Sequence, residues 1–102
     1  MTTEARKRLH DIRMAAGTLI RFTNGKSIGD FKRDELLQAG VERKLEIIGE
    51  AFVHLREADP VLAERFASLR QIIGMRNRLI HGYDRLDLDV VWDTVANHVL
   101  GC

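Results

Sequence analysis

Residues 37–55 read LQAGVERKLEIIGEAFVHL, and the apolar side chains in this stretch decide the fold class. These side chains recur at intervals of three or four residues, which is the spacing of one face of an α-helix. The face consists of Leu37, Val41, Leu45, Ile48, Phe52 and Leu55. A stripe of this length indicates a long helix packed against a neighbour, and we predict that it runs from about Phe31 to Ala58.

The sequence before this helix predicts another one, over about residues 3–23. A threonine at position 2 or 3 can cap its start, and Asn24-Gly25 is a typical stop signal. Its predicted buried stripe consists of Leu9, Ile12, Ala16, Leu19 and Ile20. The short polar residues after Gly25 indicate a loop, and we expect Asp30 to cap the helix that follows.

Helical spacing continues after the long helix to the end of the chain. Asp59-Pro60 is expected to end one helix and begin the next, which reaches His81, with Ser68 as a point where this region could divide. Asp87 or Asp89 can cap a final helix with Trp92 in the core. Since no segment alternates apolar and polar residues like a strand, we predict an all-α, antiparallel bundle of four or five helices.

Composition places the chain among ordinary globular domains. It has 102 residues, 45% of them hydrophobic and 30% charged, and we interpret residues 1–102 as one domain. The net charge of +1 excludes a strongly acidic or basic tail. The single cysteine, Cys102, allows no intrachain disulfide, and no apolar run is long enough for a membrane span. We therefore expect a cytoplasmic protein.

Arginine is concentrated in residues 64–85, which contain five arginines and no lysine. A guanidinium can bind a phosphate through two parallel hydrogen bonds, so local clustering allows contact with nucleic acid despite the balanced total charge. Of this group, Arg70, Arg78 and Arg85 are candidates for steering RNA. The alternative is that these side chains form an ordinary solvated helix face.

The residues most indicative of chemistry lie in 75–83, MRNRLIHGY. Arg76, His81 and Tyr83 fall within eight positions of one another at a predicted helix end. Asn77 and His81 share a helix face, whereas Arg76 and His81 point roughly 140° apart. They can converge if Arg76 bends toward the helix end or if two copies meet in a symmetric homodimer, and we favour the dimer.

Two interpretations of this cluster remain open from the spacing alone. Asn77 and His81 can simply cap the bundle, with His81 as a cation at a helix C-terminus. Alternatively, a histidine can move a proton between a ribose 2′-hydroxyl and a leaving 5′-oxygen while an arginine stabilises the phosphoryl charge. That reaction leaves a 2′,3′-cyclic phosphate or its hydrolysis product. No cluster has metal-ligand spacing, so we expect no metal and no other cofactor.

The pattern of Arg76, four residues, His81, one residue and Tyr83 resembles the signature of the HepT-type HEPN ribonuclease toxins. Two further segments resemble that family, and together the likeness covers nearly the whole chain. They are 41–51, VERKLEIIGEA, which is similar to the second-helix segment, and 74–77, GMRN, which with Val91-Trp92 is similar to the later part.

The resemblance implies a helical homodimer of the HEPN type that cleaves RNA in a cleft between its subunits. It also implies a partner, a small nucleotidyltransferase antitoxin that transfers AMP to Tyr83. In this interpretation Arg76 and His81 are catalytic and Asn77 orients them. AMP on Tyr83 would place negative charge and a bulky base beside both catalytic residues and block the cleft.

A different class of function is a non-catalytic module. The same dimeric bundle could bind a nucleotide or a nucleotidyltransferase, with Arg76 and His81 serving recognition only. Glu50 could face the cleft as a second proton-transfer group, but we interpret it as an ordinary surface carboxylate and leave it out of the site. The other histidines are expected to be surface or half-buried residues without a catalytic role: His10, His54 and His98.

Overall fold

The computed structural model describes residues 1–82 and 86–99, and throughout these ranges the chain is helical or in connecting turns. The elements are α1 (Thr3–Thr23), α2 (Ile28–Arg33), α3 (Glu35–Ala58), α4 (Pro60–Ala63), α5 (Leu69–Ile80) and α6 (Leu88–Asp93), which continues as a π-helical segment (Thr94–Val99). The predicted all-α class is confirmed. Within the described ranges, none of the helices is both long and apolar enough to cross a lipid bilayer.

Helix α3 is the centre of the fold, because both α1 and α5 pack against it. The predicted apolar face of α3 is buried at every position from Leu37 to Leu55, as its spacing indicates. Helix α2 contacts α3 and α6, and the π-helical segment contacts α5. The largest fully buried side chains come from α1, α2, α3, α6 and the π-helical segment: Leu19, Phe31, Val41, Leu45, Ile48, Leu55, Val91 and Val95.

Helix α1 has the predicted bounds, but one of its residues faces solvent instead of the core. The Thr2 hydroxyl accepts a hydrogen bond from the Ala5 amide at 3.1 Å, and the chain leaves the helix at Asn24. Leu19 is fully buried, whereas Ile20 is 55% exposed. Successive residues point about 100° apart on a helix, so the two neighbours cannot both face α3.

The predicted helix over Phe31–Ala58 is wrong in one respect, because the chain breaks at Asp34. Asp34 has an extended backbone, and its carboxylate accepts a hydrogen bond from the Leu37 amide at 3.0 Å. Asp30 is not the expected cap either. Ser27 caps α2: its hydroxyl accepts a hydrogen bond from the Asp30 amide, and the Asp30 carboxylate accepts one from the Ser27 amide. This is a capping box, which satisfies two amides at once.

The later helix boundaries follow the local signals. Asp59 caps α4, Pro60 is the first residue of α4, and the chain divides before Leu69 at Ser68. The Ser68 hydroxyl lies 2.9 Å from Nδ1 of the half-buried His98 and so links α5 to the π-helical segment. Of the two proposed caps for the last helix, Asp87 is the one observed.

Candidate active site

Helices α3 and α5 approach closely at Gly49, next to Arg76. A Cβ atom added to Gly49 would lie 2.2 Å from the Arg76 Cβ and 3.3 Å from the carbonyl oxygen of Ile72. Real Cβ atoms essentially never come within 3.0 Å of such neighbours, so only glycine fits here. The absence of a side chain at Gly49 therefore allows the close approach of α3 and α5, and it brings the Arg76 stem onto α3.

The Arg76 guanidinium is held by side chains from two helices. Its Nε donates to Oε2 of Glu50 at 2.9 Å, Nη2 donates to the same oxygen, and Nη1 donates to Oδ1 of Asn77 at 2.8 Å. The Arg76 side chain is 21% exposed. A guanidinium has five N–H groups. In the described part of the chain three of them are engaged, which leaves two to bind an oxyanion.

Glu50 is the residue that sequence reasoning missed. We interpreted it as a surface carboxylate, and its side chain is indeed 47% exposed. It nevertheless connects two groups, because one oxygen accepts from Arg76 and the other lies 3.0 Å from Nε2 of His54. The Arg76 hydrogen bond is the largest cause of a lowered Glu50 pKa, followed by the Arg76 charge and the His54 contact.

A local signal for Glu50 was present in the sequence. It follows Gly49, the residue that marks the close approach of α3 to another helix, and it precedes His54 by one helical turn. The sequence did not allow its partner to be predicted, since Glu50 and Arg76 are 26 residues apart.

His81 lies at the C-terminus of α5, exposed to solvent. Its backbone amide donates to the carbonyl oxygen of Asn77 at 3.2 Å, and Gly82 follows with φ of +61°, the left-handed conformation expected after a helix end. The structure therefore places Arg76, Asn77 and His81 within the last turn and a half of one helix. This position is compatible with a capping role and with a catalytic one.

The remaining predicted site residues divide into two groups. Arg70 and Arg78 are on α5 and exposed, so a polyanion can reach them. Tyr83 and Arg85 lie outside the described residues. In residues 1–82 and 86–99, no three or more histidine, cysteine, aspartate or glutamate side chains are grouped so that they could hold a metal ion.

The Glu50–Arg76 ion pair predicts a specific pH dependence of stability. Because the folded-state pKa of Glu50 is lowered from its ordinary value of 4.5, the pair stabilises the fold above pH 4.5. That contribution is lost as the pH falls through the lowered pKa. We expect urea denaturation at a series of acidic pH values to show a steeper loss of stability for wild type than for Glu50→Gln.

A matched control for this measurement is Glu57→Gln, which changes an exposed carboxylate on the same helix. It should reproduce the wild-type pH dependence. Parallel curves for wild type and Glu50→Gln would show that the ion pair contributes nothing in solution.

Comparisons of the sequence with family models and with known proteins point to the same family. A family model described as Ribonuclease HepT-like matches residues 12–100. The chain is 35% identical over 91 residues to a probable ribonuclease HepT of Thermococcus cleftensis, covering 89% of this chain and 82% of that protein. No solved structure gives a significant match.

Two further relatives are named as candidate RNases. The one from Methanocaldococcus jannaschii is 33% identical over 96 residues, which covers 94% of this chain and 78% of the relative. The one from Caldanaerobacter subterraneus subsp. tengcongensis is 34% identical over 83 residues, which covers 79% of this chain and 71% of the relative.

Proposed function

Because the chain belongs to the Ribonuclease HepT-like family, we propose that it is an endoribonuclease that cleaves RNA without a metal ion. The observation that carries this proposal is the way in which Arg76 is held. Glu50 and Asn77 fix the guanidinium on a helix whose next turn carries His81. A fixed cation on the same helix end as an imidazole, which can both accept and donate a proton, is the pairing that phosphoryl transfer through a ribose hydroxyl requires.

Arg76 is proposed to bind the scissile phosphate. Its two remaining N–H groups can donate to the non-bridging oxygens, where negative charge increases as the 2′-oxygen attacks phosphorus. Glu50 has a positioning role in this scheme. Its carboxylate fixes the plane of the guanidinium before substrate arrives, so less side-chain freedom is lost on binding.

His81 is proposed to transfer the proton. It accepts the proton of the 2′-hydroxyl as that oxygen attacks, or donates a proton to the departing 5′-oxygen. The bond from phosphorus to the 5′-oxygen breaks as the bond to the 2′-oxygen forms, and the product is a 2′,3′-cyclic phosphate. When attack and departure occur in the same event, one group must accept the 2′-hydroxyl proton and another must donate a proton to the 5′-oxygen, so a single His81 cannot supply both. A homodimer would supply a second His81.

A homodimer would also bring together two side chains that point apart on a single helix. Within one regular helix, Arg76 and His81 point roughly 140° apart. In a twofold dimer that brings the C-terminal ends of the two α5 helices together, Arg76 of one subunit can face His81 of the other. We propose such a dimer, with two copies of the site in the cleft between subunits.

On the basis of the resemblance to HepT-type toxins, we propose that the activity is inhibited by a partner protein. A nucleotidyltransferase antitoxin would transfer AMP to Tyr83, two residues after His81 in the sequence. The phosphate would compete with RNA for Arg76, and the adenosine would occupy space in the cleft. The protein would therefore be active as a toxin only when its partner is absent.

The test of this function is cleavage of RNA by the purified chain in the presence of EDTA. We expect product ends that resist phosphatase until acid opens the cyclic phosphate. DNA of the same sequence should remain intact, because it lacks the 2′-hydroxyl. Cleavage that needs added Mg²⁺ and leaves a 3′-hydroxyl would contradict the proposed chemistry. No cleavage of any RNA would favour the non-catalytic module.

A further inference from the structure

A groove of about 310 Å³ runs between α1, α3 and the end of α5, next to the candidate active site. Glu50 forms part of its wall, and the same carboxylate holds Arg76. Ile80, which also lines the groove, directly precedes His81. A nucleotide adjacent to a phosphate bound at Arg76 would therefore lie within reach of this groove.

The charged residues of the groove do not suit a phosphate. Asp11, Glu46 and Glu50 line it together with Arg8 and Arg43, and Glu50 is already paired with Arg76. Both arginines already contact carboxylates. Arg8 Nε donates to Glu4 at 2.8 Å, and Arg43 Nη1 donates to Glu46 at 3.1 Å. An additional anion would therefore find both guanidinium groups of the groove already engaged by carboxylates, which argues against a path for the RNA backbone.

The uncharged residues indicate what does fit. Ile47, Ala51 and Ile80 contribute an apolar surface, and Ile80 is 47% exposed although it is large and apolar. A flat ligand with an apolar face and hydrogen-bond donors along its edge would cover Ile80 and give the carboxylates groups to bind. A nucleobase has both properties. The volume is at the small end of ligand sites, about 300–1,000 Å³, and accommodates one base.

The carboxylates of Asp11 and Glu46 further select among bases. An ionised carboxylate only accepts hydrogen bonds, so it pairs with the exocyclic amino group of cytosine, adenine or guanine, whereas uracil can offer it only the ring N3–H. Uracil presents a carbonyl oxygen at the position where cytosine carries its amino group, and this oxygen would face Asp11 or Glu46 unfavourably. Discrimination of this kind arises from leaving a polar group unpaired.

We propose that this groove is a base-binding subsite that accepts the base of a nucleotide neighbouring the cleaved phosphate and prefers bases with an exocyclic amino group. Glu46 and Asp11 are its specificity-determining residues, and Ile80 is the apolar surface that the base covers. The inference rests on the proposed ribonuclease function, because RNA must first be bound at Arg76.

The test compares two octamers of 2′-O-methyl RNA, one all cytosine and one all uracil. They have the same backbone and base size, and neither can be cleaved through a 2′-hydroxyl, so binding is measured apart from catalysis. We expect the wild-type chain to bind the cytosine octamer about tenfold more tightly, the factor that one good base contact supplies.

Glu46→Gln should reduce this preference to about twofold or less, because an amide can also donate to the uracil carbonyl. Glu57→Gln, the same change on an exposed part of α3 outside the groove, should leave the tenfold preference unchanged. Circular dichroism verifies that both variants are folded.

Equal binding of the two octamers by wild type would overturn the subsite, as would a preference that survives both Glu46→Gln and Asp11→Asn. Cleavage of natural RNA by wild type is measured in parallel. If that cleavage is absent while the cytosine preference and its loss in Glu46→Gln are observed, the subsite stands and the ribonuclease proposal fails. If cleavage occurs without any preference, the subsite alone fails.

Discussion

Replacing His81 with alanine is expected to lower the rate of RNA cleavage by a factor of about 10²–10⁴, the usual contribution of a general acid or base. We expect the fold to survive the change, because His81 is exposed at the end of α5 and alanine retains the backbone amide that donates to Asn77. The loss should therefore appear in the single-turnover rate, with thermal unfolding and helical circular dichroism close to those of wild type.

The matched control for His81→Ala is His10→Ala, which removes an exposed histidine from α1. It should cleave RNA at the wild-type rate. If His81→Ala unfolds the protein instead, the capping interpretation of His81 gains support, and His81→Gln then separates the roles. A folded His81→Gln that cleaves normally would exclude proton transfer by this residue.

The largest effect on stability is expected for Gly49→Ala. The new Cβ would lie 2.2 Å from the Cβ of Arg76, an atom that no rotamer change can move away. The two helices must separate, which costs about 1–3 kcal/mol in the free energy of unfolding. The displaced Arg76 would also lose its alignment with Glu50, so RNA cleavage should fall in molecules that remain folded. Urea denaturation and cleavage assays measure the two effects.

Gly74→Ala provides a sharp comparison with Gly49→Ala. Gly74 is an exposed position in α5, and a Cβ added there would meet nothing within 4 Å. The same substitution should therefore stabilise the protein by up to about 1 kcal/mol, since alanine favours helix more than glycine does. Equal effects of the two substitutions would contradict the close approach of α3 and α5 at Gly49.

The predictable parts of the fold are those that depend on the sequence within a single helix. The buried face of α3 follows from its spacing, and the start of α1 follows from Thr2. The break at Asp34 was missed because apolar residues on both sides continue the helical pattern across it. A capping side chain competes with that pattern locally, and the sequence does not reveal which of the two prevails at Asp34.

The candidate site was predictable to a smaller extent. The spacing of Arg76 and Asn77 in one turn was visible, and the structure brings their side chains together. The partnership of Arg76 with Glu50 was not, because it depends on how α5 crosses α3. Such a contact between residues distant in sequence is decided by packing at Gly49, and no local pattern encodes it.

The contact between the rings of Trp92 and Phe31 gives the protein an internal optical reporter. Trp92 is the single tryptophan of the chain, and its ring centroid lies 5.2 Å from that of Phe31. Its emission will therefore sense the docking of α6 on α2, whereas far-ultraviolet circular dichroism is dominated by the long helices α1 and α3. Partial opening of the C-terminal part would shift the fluorescence while most of the dichroism signal persists, so the two signals together distinguish local detachment from global unfolding.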